Sequence, residues 1–216
     1  MNIFLLNVVS GLSISIPALL ILRRIKKIHS SFYPFAVLLW VGALNEILSF
    51  IMILTKQHNL VNSNVYVLME FFIILFLFRN WNGWRVRTVA VLMAIGLAVW
   101  IADNFVLHSL SDNNSLFRLF YSLVTMLMAM GVLSVTILEE RKSLFKNPTF
   151  LISLIFIIFY SFKAVYESFN LFQIGINSNF HYNLWLVLSI INLIANMGYT
   201  LAILCIQKKL PFTIRY

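Results

Sequence analysis

The sequence has very little cysteine and few charged residues. Cys205 is its single cysteine among 216 residues, and only 11% of the residues are charged. One cysteine excludes an intrachain disulfide framework and a cluster of cysteine ligands around a metal ion. Because soluble domains carry about 25% charged residues, the chain is not an ordinary soluble domain. It is not a soluble nucleic-acid-binding domain either, since such a domain needs a polar surface for its basic residues.

Apolar residues are abundant instead, and they are arranged in long runs. They make up 61% of the chain, against about 45–50% in soluble domains. A helix needs about 20 apolar residues to cross a hydrocarbon core about 30 Å thick. Seven runs have roughly this length, and they span residues 3–22, 32–55, 61–78, 88–107, 115–138, 149–171 and 182–206.

The connections between these runs are short. We therefore predict an all-α integral membrane protein in which residues 1–216 form a single domain of seven transmembrane helices. We expect the first run to stay as a helix rather than to be removed as a signal peptide. The reason is that no basic residue precedes it, whereas Arg23 and Arg24 follow it directly.

Lysine and arginine are concentrated on one side of the predicted membrane. The connections after the first, third and fifth runs and the C-terminal tail hold thirteen of them, whereas the N-terminus and the other connections hold only Lys56. Basic segments stay on the cytoplasmic side during insertion, so we expect the N-terminus outside and the C-terminus inside. Trp81 and Trp84 fit the aromatic belt on that cytoplasmic side. The net charge of +9 is then an orientation signal, and we expect a multi-pass protein of the cell membrane, specifically of the bacterial inner membrane.

Two similar segments suggest an internal repeat. Asn62-Ser63-Asn64 stands at the start of the third run, and Asn177-Ser178-Asn179 precedes the seventh. Pro34 and Pro148 open the second and sixth runs. The first three and last three runs would then form a three-plus-one-plus-three parallel repeat. The alternative is that Asn and Ser only cap helix starts in both places.

This layout resembles two groups of membrane proteins in topology. It is similar to the sugar-transporting PQ-loop proteins and the retrieval-signal receptors related to them. It also resembles the seven-helix input modules of bacterial sensor kinases and rhodopsin-like receptors. The chain has no Pro-Gln pair, and the seventh run has no lysine for a retinal Schiff base. We therefore assign it to no family.

Six charged residues lie inside the apolar runs. Each costs about 2.5–3.5 kcal/mol in hydrocarbon, so each is expected to have a function or a partner. Counted at about 1.5 Å per residue, they form two layers in the outer half of the membrane. The shallow layer, about 5 Å deep, contains Asp103, Arg118 and Glu167, and the deep layer, about 12–14 Å deep, contains Glu46, Glu70 and Lys163.

Other polar residues continue these faces at helical spacing, among them Tyr121 near Arg118 and Tyr160 beside Lys163. The candidate ligand- or proton-binding residues are Glu46, Glu70, Lys163, Asn192, Asn45, Tyr66, Glu167, Asp103, Arg118 and Asn196. The alternative is that the charged residues pair with one another and that the asparagines hydrogen-bond between helices. In the deep layer two acids face one base, so one carboxyl is left in excess, as in proton-coupled or pH-sensing sites.

Three functions are compatible with these residues. The first is a sensor or receptor-like module, in which an outward-facing cavity binds a small polar or ionic ligand, or protons, and signals to a separate cytoplasmic protein. The second is a proton-coupled transporter of small solutes, which needs a polar path inward past Asn196. The third is a membrane enzyme acting on a lipid or isoprenoid, with Glu46 and Glu70 as acid and base.

We predict no cofactor, no catalytic residue and no metal site, and we do not expect an enzyme. The histidines are in connections or at helix ends, where solvated side chains are more common than metal ligands; they are His29, His58, His108 and His181. The expected partners are the lipid bilayer, the small ligand or protons, and a cytoplasmic signalling protein, but no nucleic acid.

Overall fold

The computed structural model describes residues 3–55, 58–82, 84–139, 143–172 and 178–206. Within these residues the secondary structure is helical and contains no strand. The α-helices are α1 (Ile3–Leu12), α2 (Ser15–Arg24), α3 (Tyr33–Leu54), α4 (Leu60–Asn82), α5 (Val86–Ile101), α6 (Ser115–Glu139), α7 (Pro148–Phe172) and α8 (Ser178–Cys205). Two 3₁₀ turns, Ser30–Phe32 and Leu144–Lys146, and a π-helical segment, Ala102–Leu107, connect some of them.

Seven helical segments in this described part of the chain are long and apolar enough to cross a membrane. The first consists of α1 followed by α2, the second of the 3₁₀ turn Ser30–Phe32 followed by α3, and the fourth of α5 with its π-helical extension, whereas the others are single helices. Each corresponds to one of the seven apolar runs, so the predictions of an all-α fold and of seven membrane-spanning segments are confirmed. The chain has the architecture of a multi-pass membrane protein.

The first membrane-spanning segment is broken near its middle, although the apolar run predicts one helix over 3–22. Pro17 has no N–H group and cannot donate to the carbonyl of Ser13 one turn earlier. The carbonyl of Ser13 accepts from the N–H of Ile16 instead, at 3.1 Å, and the N–H of Ile14 donates to Gly11 at 3.3 Å. These shorter-range hydrogen bonds separate α1 from α2.

Helix α4 is longer at its end than the predicted run 61–78. It continues through Arg79 to Asn82, and its last turn carries Trp81. The ring of Trp81 packs edge-on against Phe32 at 5.7 Å and Phe78 at 6.0 Å. Trp81 and Trp84, which the sequence assigns to an aromatic belt, both pack against the hydrophobic core.

Six of the membrane-spanning segments form a closed ring. The α1–α2 segment packs against α3 and α8, and the ring continues from α3 to α4, α6, α7 and back to α8. Helix α5 lies outside this ring, where it contacts α4 and α6. We call the end of the ring at which Ile3 lies the N-terminal end, and the end at which Cys205 lies the C-terminal end.

Aromatic rings fill the half of the ring nearer the C-terminal end. We call this group the aromatic plug, and its members are Phe32, Phe35, Phe78, Trp81, Phe156 and Tyr199. The ring of Tyr199 lies 5.5 Å from that of Phe35 and 5.9 Å from that of Phe156, which in turn lies 5.8 Å from Phe78. Phe35, Phe78 and Phe156 are fully buried. Edge-to-face packing of this kind stabilises a core beyond its apolar area.

Basic residues gather at the C-terminal end. Those described there are Arg23, Arg24, Lys26, Lys27, Arg79, Arg85, Arg87 and Lys146. Arg24 also stabilises the end of α8, because its Nη1 donates to the carbonyls of Ile203 at 3.1 Å and Leu204 at 3.3 Å. Further basic residues that the sequence analysis counted lie outside the described residues: Lys56, Arg141, Lys142, Lys208, Lys209 and Arg215. Asn177 of the suggested repeat does as well.

Candidate functional site

A polar cavity of about 340 Å³ lies inside the ring, between the aromatic plug and the N-terminal end. Its walls come from α1, α3, α4, α6, α7 and α8. Nine of the ten candidate residues line it, namely Glu46, Glu70, Lys163, Asn192, Asn45, Tyr66, Glu167, Arg118 and Asn196. Residues that lie far apart in the sequence therefore meet in one place. Only Asp103 of the candidate set is not on this wall.

The carboxylate of Glu70 accepts three hydrogen bonds inside the cavity. Its Oε1 accepts hydrogen bonds from Tyr160 at 3.0 Å and from Tyr66 at 3.3 Å, and its Oε2 accepts one from Tyr121 at 2.9 Å. Its Oε2 also lies 3.8 Å from Nζ of Lys163. Three hydroxyl donors and the nearby lysine thus hold the Glu70 carboxylate in place between α4, α6 and α7.

Helical spacing brings these donors together. Tyr66 precedes Glu70 by four residues on α4, and Tyr160 precedes Lys163 by three on α7, so each pair shares a helix face. Lys163 also hydrogen-bonds the hydroxyl of Tyr121, and its Nζ lies 4.8 Å from the centre of the Tyr121 ring. The candidate set omits Tyr121 and Tyr160, although their helical spacing from Arg118 and Lys163 already placed them on these faces.

Glu46 has a different environment. It lines the cavity and is partly exposed to it, and its carboxylate makes no hydrogen bond or ion pair within the described residues. Gly11 of α1 faces it so closely that a Cβ on Gly11 would collide with the Glu46 carboxylate. The excess carboxyl that the residue count predicts is therefore Glu46, because Glu70 forms the ion pair with Lys163.

Asparagines on α8 tie this helix to the broken first segment. Nδ2 of Asn192 donates to the carbonyl of Ser10 at 3.3 Å and to its Oγ at 3.1 Å. Nδ2 of Asn196 donates to Oγ of Ser13 at 2.8 Å, and also to the carbonyl of Ser10 at 3.4 Å. Both amide groups thus use their donors to bond the first membrane-spanning segment and leave their oxygens as acceptors.

Asn45 plays a similar part on the opposite wall. Its Oδ1 accepts from Nδ2 of Asn62 at 2.9 Å and so links α3 to α4. The interhelical role that the sequence analysis gave as an alternative for the asparagines is thus combined with a place on the cavity wall.

The shallow layer does not form ion pairs of its own in the described part of the chain. Nη2 of Arg118 donates to Oγ of Ser63 and to Oδ1 of Asn64, both at 2.9 Å. Glu167 is 3% exposed and accepts a hydrogen bond from Asn170 at 3.4 Å. Arg118 thus fixes the start of α4, and the Asn62-Ser63-Asn64 segment supplies its acceptors.

Asp103 belongs to a second polar cluster, outside the cavity wall. It is fully buried, and its Oδ1 lies 2.9 Å from Nδ1 of His108, while its Oδ2 accepts from the backbone N–H of Phe117 at 2.8 Å. Beside it, Oδ1 of Asn104 accepts from Nδ2 of Asn114 at 2.5 Å. This carboxylate therefore fixes the first turn of α6, where free N–H groups need acceptors.

The fold and the cavity together define a class: a multi-pass membrane protein with a polar cavity that aromatic residues close toward one end. Among the described residues, no three histidine, cysteine, aspartate or glutamate side chains lie close enough together to hold a metal ion. Comparison of the chain with protein-family models, with curated proteins and with solved structures finds no match.

Proposed function

We propose that this protein is a membrane sensor or receptor-like module whose cavity binds a small polar or ionic ligand. In this proposal the cavity opens to the outside, ligand binding shifts the surrounding helices, and the C-terminal end transmits the change to a separate cytoplasmic protein. The single observation that carries the proposal is a charged cavity of small-molecule size placed above an apolar plug. Small-molecule pockets measure about 300–1,000 Å³, and this cavity measures about 340 Å³.

The plug favours a sensor over the proton-coupled transporter. A transporter needs a polar path beyond Asn196 toward the C-terminal end. One turn below Asn196, Tyr199 packs between the rings of Phe35 and Phe156, both fully buried. A solute in the cavity meets these rings before it reaches the other side.

The contacts of Glu70 argue against the third hypothesis, a lipid or isoprenoid enzyme. General acid–base catalysis needs a group that is free to exchange a proton with the substrate. Glu70 already binds three tyrosine hydroxyls and Lys163, so it is poorly suited to pair with Glu46 as acid and base.

The direction of signalling in this proposal follows from charge. The described basic residues outside the helix interiors all lie at the C-terminal end, which supports a cytoplasmic location for it. The order of the helices around the ring supports the suggested repeat, because α1–α2, α3 and α4 are neighbours in the same way as α6, α7 and α8. In this scheme α5 is the single helix between the repeats.

The native cysteine helps to test from which side of the membrane a reagent can reach the cavity. Leu188 is an apolar residue of the cavity wall. Cys205 lies at the C-terminal end and is partly exposed. We expect a membrane-impermeant thiosulfonate to modify Leu188→Cys, made in a Cys205→Ser background, only from the outside. It should modify Cys205 of the wild type only from the cytoplasmic side. Right-side-out and inside-out vesicles, with modification followed by mass spectrometry, distinguish the two sides.

The same measurement separates the alternatives. Equal modification of Leu188→Cys from both sides would favour the transporter, and modification from the cytoplasmic side alone would reverse the proposed direction of sensing. If Leu188→Cys folds but is modified from neither side of the membrane, the cavity is not accessible.

A further inference from the structure

We infer that the cavity is built for a small organic cation, and specifically for a primary ammonium group bound between Glu46 and the asparagines of α8. This inference rests on the proposed ligand-binding function and names the chemical class of the ligand. It is carried by three separate observations: the charge balance of the wall, the kind of polar atom left unpartnered, and the rings beside them.

The charged wall has one acid more than it has bases. Five charged side chains line the cavity, the acids Glu46, Glu70 and Glu167 and the bases Arg118 and Lys163. Lys163 is neutralised by Glu70 at 3.8 Å, and the two remaining groups of the shallow layer have opposite charge. Glu46 is then the group whose charge no described residue balances, and one monovalent cation would balance it.

The unpartnered side-chain atoms of the two α8 asparagines are acceptors. Asn192 and Asn196 use their amide Nδ2 groups to bond Ser10 and Ser13 of the first segment. Their Oδ1 atoms accept no hydrogen bond from any residue that the structure describes. Asn192, Asn196 and Glu46 line the cavity and together offer two amide oxygens and one carboxylate, whereas an –NH₃⁺ group offers three donors and no acceptor. A carboxylate or phosphate ligand would meet repulsion from Glu46 and would have no donor from these three groups.

Aromatic rings complete the site for a cation with an apolar body. Tyr66 and Trp185 line the same cavity, and cations are attracted to the faces of such rings, most strongly to tryptophan. The organic part of the ligand can pack against apolar residues of the wall, among them Leu38 and Leu39. A bare inorganic cation would leave this apolar wall without contact.

Three probes of nearly equal size test the inference: butylammonium, butyramide and butyrate. We expect butylammonium alone to stabilise the purified full-length protein against heat, by about 3 °C at a concentration ten times its Kd. In Glu46→Gln the Kd for butylammonium should rise about thirtyfold or more, because one partner of a desolvated charge pair is lost. Glu139→Gln, an exposed glutamate at the end of α6, is the matched control and should bind like the wild type.

Each other outcome overturns the inference. Stabilisation by butyrate or butyramide that depends on Glu46 would show that the cavity takes a ligand of another class, and the proposed function would stand. Butylammonium binding that is unchanged in Glu46→Gln would place the cation elsewhere. If none of the three probes binds while Leu188→Cys is still modified from the outside, the cavity is accessible but its ligand is not an ammonium ion. The proposed function itself fails only if the cysteine test fails.

Discussion

Replacement of Glu70 by alanine is expected to lower the free energy of unfolding by about 3–5 kcal/mol, the usual cost of breaking a buried ion pair by removing one partner. The change leaves Lys163 without its counterion, and it removes the acceptor of three tyrosine hydroxyls. Because Lys163, Tyr121 and Tyr160 lie on two other helices, the side-chain links from α4 to α6 and α7 should be lost. Unfolding in mixed detergent micelles, followed by tryptophan fluorescence, measures this loss.

Glu46 provides the matched control for this experiment. It is the same residue type on the same cavity, but it has no partner among the described residues. Glu46→Ala should therefore change stability by less than about 1 kcal/mol, because it breaks no hydrogen bond or ion pair among the described residues. Lys163→Met combined with Glu70→Gln should recover part of the loss, since no unpaired charge remains. Equal destabilisation by Glu46→Ala and Glu70→Ala would show that the network around Glu70 is not what holds these helices.

Replacement of Phe156 by alanine is expected to have two effects of similar importance. Phe156 is fully buried, and truncation of a buried phenylalanine costs about 3–5 kcal/mol. It also removes the ring that contacts Phe78, Tyr160 and Tyr199, so the plug should admit water. In the Leu188→Cys background, modification from the cytoplasmic side should become measurable.

Phe162 is the control for this change, because it lies on the same helix and is 47% exposed. Phe162→Ala should leave both the unfolding midpoint and the sidedness of modification near those of the parent. If Phe156→Ala destabilises the protein but Leu188→Cys stays unreachable from the cytoplasmic side, the plug is a structural core and another group closes the cavity.

The sequence was sufficient to predict the number and type of the membrane-spanning segments, because a bilayer imposes a minimum apolar length on each. It was also sufficient to predict that most of the candidate residues lie close together. Polar groups at helical spacing share a face, and six faces that avoid lipid must turn toward one another. Glu70 and Tyr66 illustrate this, since their spacing of four residues already places them on one side of α4.

Other features of the site could not be predicted from helical spacing. Asp103 is not on the cavity wall because α5, whose π-helical extension Ala102–Leu107 carries it, lies outside the ring. The choice of Glu70 over Glu46 as the partner of Lys163 also escaped prediction. Both acids lie at a similar depth, and only the tertiary structure shows that Glu46 packs against Gly11.

We propose that an outward-facing cavity carries one excess negative charge at Glu46. The most direct test compares the rates at which a cationic and an anionic thiosulfonate of similar size modify Leu188→Cys from the outside, each divided by its rate with a free thiol in solution. We predict that the cationic reagent is favoured, and that Glu46→Gln removes most of this preference. An anionic reagent that reacts as fast as the cationic one, or a preference that survives Glu46→Gln, would contradict the claim.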